Sequence, residues 1–119
     1  MLYAEIHQLL MPYDKAPVEC DGFTRLAHTA LADAGVAHTC HIGRIVSADG
    51  ERQSPIHYWI ELTGGVIIDY RARMWLGNDE GVPHGVFCPD GYKSWVYQGS
   101  AIELPLLSSI LARFMVMDL

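Results

Sequence analysis

The chain has 119 residues, half of them hydrophobic, and a net charge of −6 at pH 7. That length suits one compact domain spanning 1–119 with a modest core, and that composition excludes a disordered chain. The acidic balance argues against a nucleic-acid partner, because phosphates repel such a surface on average.

No stretch reaches the about 20 apolar residues of a bilayer span, and no basic start followed by an apolar run marks a signal peptide. The three cysteines, Cys20, Cys40 and Cys88, are odd in number and irregular in spacing, so they do not form a disulfide framework. Free thiols, a cytoplasmic location and no membrane partner are the expectation.

Residues 1–11 are mildly apolar and suit a short strand or helix, and "MPYDKAP" then breaks the pattern with two prolines. From Cys20 to Ala34 the period becomes helical. Phe23, Leu26, Ala27, Ala30, Leu31 and Ala34 fall on one face, and Asp21, Arg25, His28 and Ala32 on the far, solvated side. Gly35 is placed to stop the helix.

"VAHTCHIGRIVSADGE" reads as a strand ending in an Asp-Gly turn. "PIHYWIEL" and "VIIDYRARMW" read as strands joined at "TGG". Residues 77–91, rich in Gly, Pro and Asp, read as one long loop, and "YKSWVYQ" as a final strand. "IELPLLSSILARFMVM" reads as a helix, apolar nearly all round. The order of helix, strands and helix predicts an α+β fold with an antiparallel sheet.

Strand side chains alternate between faces, so the hairpin register decides whether His57 and Asp69 meet. A three-residue loop at Leu62-Thr63-Gly64 puts the two directly opposite, about 5 Å apart at Cβ. A two-residue loop at Thr63-Gly64 puts them on opposite faces. The three-residue register gathers His57, Trp59, Ile67 and Asp69 on one face. Ile56, Tyr58, Ile60, Leu62, Val66, Ile68 and Tyr70 then make the other face apolar or aromatic. We expect the Cys20 helix over the His57 face and the C-terminal helix over the other.

Cys20 opens its helix and shares the stripe of Phe23 and Ala27, and a thiol at a helix N-terminus sees the positive end of the dipole. An imidazole can take its proton, and a carboxylate can hold that imidazole in one tautomer. Cys20, His57 and Asp69 supply these roles in that order. Glu19 and Asp21 flank the thiol and oppose its ionisation unless Asp21 acts as the N-cap.

"ECDGFTRLAHTALADAGV", followed by "HYWIEL" and "GGVIIDY", resembles the core of the papain-like superfamily, closest to its small transglutaminase-like and NlpC/P60-like members. The resemblance covers residues 18–75. It implies a cysteine hydrolase or acyl-transfer enzyme (peptidase, amidase or deamidase) that forms a thioester without a cofactor. Cys20 would be its nucleophile, His57 its base and Asp69 the orienting carboxylate. The substrate would be a peptide or amide, free or within a protein. The side chain that completes the oxyanion hole in such enzymes has only weak matches here, Tyr13 and Asp14, and Trp59 would wall the cleft. The 77–91 loop would roof that cleft.

The rival readings are blander. Cys20 could fill the core, and the His–Asp pair could be an ordinary cross-strand contact. The domain would then be an idle papain-like fold serving as a binding or inhibitor module. Zinc is the rival chemistry, drawing on His38, Cys40 and His41 or on His84 and Cys88. Alternation separates His41 from the first two, and no second paired unit exists, so no metal site is expected. Glu61 is too far along the strand to orient His57 and reads as a solvated charge. The apolar C-terminal helix could also serve as a homo-oligomer interface.

Overall fold

The computed structural model describes residues 2–117. Among the described residues four α-helices and five strands make an α+β fold. The helices are α1 (Tyr3–Asp14), α2 (Cys20–Asp33), α3 (Ala72–Leu76) and α4 (Ser109–Val116). The strands are β1 (His38–Ser47), β2 (His57–Leu62), β3 (Ile67–Asp69), β4 (Gly85–Phe87) and β5 (Trp95–Ile102), all antiparallel, in the order β4-β3-β2-β1-β5. No described helix is long and apolar enough to cross a membrane.

The first helix does not break at the prolines; it runs through Pro12 to Asp14. The second matches its sequence signature. Gly35 takes a φ of +72°, its amide bonds Ala32 O, and the Val36 amide bonds Leu31 O. This is the paired C-terminal closure that a left-handed glycine permits.

The hairpin loop has three residues, but they are Thr63, Gly64 and Gly65, one residue on from the expected turn. The Leu62 amide bonds Val66 O at 2.8 Å, and Ile60 faces Ile68. Gly64 and Gly65 both have positive φ, so two successive left-handed residues carry the turn. The register therefore slips by two positions, which preserves parity. His57 and Asp69 stay on one face as diagonal rather than direct neighbours.

Three longer expectations fail for identifiable reasons. The third strand stops at Asp69 because its carboxylate accepts the amides of Arg71 (2.9 Å) and Ala72 (3.1 Å), which turns the chain into α3. The 77–91 segment is not one loop. It adds β4 at the sheet edge, then a 3-10 turn over Pro89–Tyr92. The C-terminal helix is short. β5 runs on to Ile102 against β1, and α4 starts only where Ser108 caps the Leu111 amide at 3.1 Å.

Helix placement also differs from expectation. The α2 stripe of Phe23, Ala27 and Leu31, with Ile6 and Leu10 of α1, packs on Cys40, Ile60, Ile68 and Tyr70. That is the more uniformly apolar face of the hairpin, not the His57 face. The opposite face buries Trp59, Ile67 and Phe87 against Tyr92 and Tyr97, with Ala72, Leu76 and Val82 beside Ile45. α4 covers neither face. It lies beside α2, where Ala112, Arg113 and Val116 line a cavity with Leu26, Thr29 and Ala30, and it leaves Ile110 and Phe114 exposed.

One pairing in the sheet requires glycine. Gly43 and Gly99 stand opposite each other on β1 and β5, and a Cβ on Gly99 would meet the backbone of Ile42 and lie 2.7 Å from the Trp59 ring. Gly99→Ala is therefore expected to cost about 2 kcal/mol through overpacking. Gly91→Ala, where an added Cβ meets open space, should stay within about 0.5 kcal/mol. Urea unfolding measures both, and equal midpoints for the two variants would contradict the close approach.

Candidate active site

Topology brings the three predicted residues to one end of the sheet. α2 and β1 are joined by a four-residue connection, Ala34 to Ala37, that turns the chain back, and β2 is antiparallel to β1. The first residue of α2 therefore lies near the first residue of β2. β3 is antiparallel to β2, so its last residue comes to the same end. Those residues are Cys20, His57 and Asp69. The helix packs on the opposite sheet face, but its N-terminus reaches the site at the end of the strands.

His57 is fully buried, and its Nε2 lies 2.7 Å from Asp69 Oδ2. Its Nδ1 has no hydrogen-bond partner among the described residues. Burial disfavours the charged imidazole, but the charge and hydrogen bond of Asp69 and the interaction with Cys20 outweigh it and raise the His57 pKa to about 9. The imidazole is thus held at one nitrogen by a carboxylate, with a thiol as its other reactive neighbour. Cys20 is 6 % exposed.

Asp69 is satisfied from every side. Oδ2 also accepts the Tyr97 hydroxyl at 2.7 Å, while Oδ1 takes the two amides that open α3. Burial and the Asp69 charge drive the Tyr97 pKa up, so the phenol stays a proton donor. The Trp59 ring stacks beside His57 with centroids 6.4 Å apart, and edge-on to Tyr97 at 5.0 Å. At 2 % exposure Trp59 is a buried wall behind the imidazole rather than the side of an open cleft.

Arg71, which the sequence reading passed over, fixes the segment leading to Cys20. Its guanidinium donates to the carbonyls of Val18 (2.8 Å), Ala16 (3.1 Å) and Tyr13 (3.2 Å) and lies over the Phe23 ring at 4.9 Å. A cavity of about 400 Å³ opens on this segment, lined by Ala16, Val18, Glu19, Arg71 and Met74, one residue short of Cys20. Only their place in the three-dimensional fold gives Arg71 and Tyr97 these roles, so no local pattern marks them.

The oxyanion candidates lie at the end of α1, near the segment that leads to Cys20. Tyr13 lines the cavity under α4, and Asp14 lines the cavity beside Val18 and Glu19, 3.7 Å from Arg71 and 3.9 Å from His84. Asp21 is not the N-cap. Glu19 holds that position without a side-chain bond, and Asp21 accepts the Gly22 amide at 2.8 Å instead. Glu61 is paired rather than free, 3.0 Å from His41 on the same sheet face. His28, expected in solvent, lies 2.7 Å from His38 and donates to the Leu104 carbonyl at 3.0 Å.

Comparison with protein-family models, curated proteins and solved structures gave no match.

The buried pair links stability to pH. The His57 pKa rises on folding from 6.5 to about 9. A group whose pKa rises on folding contributes stability that is complete below the unfolded value and lost as pH rises through the folded one. The thermal midpoint of the wild type should thus exceed that of Asp69→Asn most below pH 6.5, with the margin shrinking as pH passes about 9. A margin that stays constant or widens over that window would contradict the pairing.

Proposed function

We propose that the protein is a papain-like cysteine hydrolase or acyl-transfer enzyme, of the small transglutaminase-like or NlpC/P60-like kind, acting on an amide or ester carbonyl. One observation carries the reading: a buried imidazole is fixed at Nε2 by a carboxylate, its Nδ1 has no hydrogen-bond partner among the described residues, and the helix-start thiol of Cys20 interacts with the ring. A core histidine needs only a satisfied tautomer. This one keeps a nitrogen free and has a nucleophile for a neighbour.

In this reading Cys20 gives its proton to His57 Nδ1, and the thiolate sulfur attacks the carbonyl carbon. The tetrahedral oxyanion is met by the Cys20 backbone amide at the open start of α2, which has no intrahelical partner. Collapse breaks the bond to the leaving amine or alkoxide, which takes the proton from His57. A thioester on Cys20 remains. Water, deprotonated by His57, or an acceptor amine then releases the acyl group and restores the thiol.

Asp69 keeps Nε2 protonated throughout, and Tyr97 positions Asp69. The cavity at Ala16–Glu19 and Met74 is the approach for the acyl side of the substrate. Mutagenesis templates put the loss from removing an orienting carboxylate at up to about 10⁴ in rate.

A second reading follows from burial. With Cys20 6 % exposed and His57 fully enclosed, the same fold also suits an idle module that grips a partner through its surface, including the exposed Ile110 and Phe114. Alkylation separates the two. Iodoacetamide at mildly acidic pH should modify Cys20 ahead of the exposed Cys88, and Asp69→Ala should slow that reaction at least about tenfold while Cys88 is unaffected. The buried Cys40, its pKa raised to about 11 by desolvation, should stay unmodified. Labelling of Cys88 first, with Cys20 silent, would leave the idle module as the better reading.

A further inference from the structure

The second unusual group of side chains lies away from Cys20, on the flank of α2. His28 is eight residues along that helix, about 12 Å at 1.5 Å per residue. It faces the start of β1, where His38 and Cys40 project on the same side by strand alternation. One nitrogen from each histidine and the Cys40 sulfur all lie within 4.8 Å of one another. These residues come from two elements and have no part in the proposed thioester chemistry.

The hydrogen bonds fix which nitrogens these are. His28 Nε2 lies 3.0 Å from Leu104 O, and His38 Nδ1 lies 2.7 Å from Val36 O. A carbonyl only accepts, so each of these nitrogens carries the ring proton. The remaining nitrogens, His28 Nδ1 and His38 Nε2, are then both lone pairs in neutral rings, yet they face each other at 2.7 Å. Two acceptors cannot bond one another. The contact needs a positive centre between them or the loss of a carbonyl bond.

A metal cation meets the requirement directly. Histidines whose distal N–H groups are held by backbone carbonyls are oriented as metal ligands commonly are.

We propose that His28 Nδ1, His38 Nε2 and Cys40 Sγ form a binding site for one borderline-soft cation of the zinc class, tying α2 to β1. Two imidazoles and a thiolate are a donor set suited to tetrahedral Zn²⁺, with bonds of about 2.0–2.3 Å. Adopting those bonds asks the three side chains to move by on the order of 1 Å from their present spacing. Three protein ligands leave a fourth position open. It faces a cavity of about 440 Å³ lined by Thr39, Ala101, Ile102 and Glu103, so water or a small anionic ligand can complete the shell. Zinc binding at Cys40 displaces the thiol proton to solvent and involves no redox change.

Co²⁺ titration of the full chain, after chelator treatment and under reducing conditions, tests the site, with Zn²⁺ competition giving the affinity. One equivalent of Co²⁺ should produce a thiolate-to-metal charge-transfer band in the near ultraviolet and tetrahedral visible bands, and one equivalent of Zn²⁺ should abolish both. Cys40→Ser should lose the charge-transfer band, while Cys20→Ala and Cys88→Ala keep it. His28→Gln should weaken binding at least about tenfold. Circular dichroism in chelator shows whether each variant is folded. If Cys40→Ser is not, His28→Gln and His38→Gln, at half-buried positions, carry the test. Absence of the band, its loss in Cys20→Ala instead, or unchanged affinity in both histidine variants would overturn the assignment.

Discussion

A carboxylate buried to 2 % exposure dominates the arrangement of this protein. An ionised carboxylate removed from water is costly unless its lone pairs are met. Asp69 meets them with four donors drawn from different places: His57 at the start of β2, Tyr97 on β5, and the amides of Arg71 and Ala72. Each donor has a structural consequence. The two amides end β3 and start α3. The Tyr97 side chain reaches Asp69 from β5, which is paired only with β1 at the sheet edge. His57 is left with one nitrogen bound and one free. The sheet edge, the short helix and the imidazole orientation are three results of satisfying a single charge.

Arg71, two residues later, does the corresponding work for the thiol. The segment between α1 and α2 exposes carbonyls that have no strand or helix to join. The guanidinium collects two of them, at Ala16 and Val18, together with the Tyr13 carbonyl in the last turn of α1, and packs over Phe23 in the first turn of α2. A planar group with five donors in a fixed fork suits this task better than an ammonium would. Asp69 therefore orients the imidazole while Arg71 seats the helix that begins with Cys20. The mutual placement of thiol and base depends on a stretch of three residues at the end of one strand.

This division explains what was legible in the sequence. The α2 helix, its Gly35 stop and the antiparallel hairpin were readable because each has a local signature: a 3.6-residue stripe, a left-handed glycine, a glycine-bearing turn. The shared face of His57 and Asp69 was readable for a subtler reason. Shifting the loop to Thr63-Gly64-Gly65 changes the register by two, and only a shift of one would have separated the pair. The diagonal offset of the two residues was not readable, nor were Tyr97 and Arg71, because the contacts of these last two span 28 and over 50 positions of sequence and leave no period. The side of the sheet taken by α2 was misjudged by following the thiol. The helix follows its apolar stripe, and a residue at its very end can serve the other face. The extended reading of "VIIDYRARMW" failed because apolar period alone cannot show that an aspartate will take up the amides ahead of it.

The two histidine clusters obey one rule with opposite results. An imidazole held at one nitrogen presents the other in a defined direction and protonation state. At His57 the holding group is a carboxylate, whose charge stabilises the imidazolium and raises its pKa to about 9. A ring in that state suits proton exchange with a thiol. At His28 and His38 the holding groups are neutral carbonyls, of Leu104 and Val36, which fix the tautomers. Rings in that state offer lone pairs, and the proposed cation site uses them beside Cys40. The charge of the acceptor behind each ring thus separates a histidine suited to acid–base work from a pair suited to ligation, though both are built on α2 and the adjoining strands.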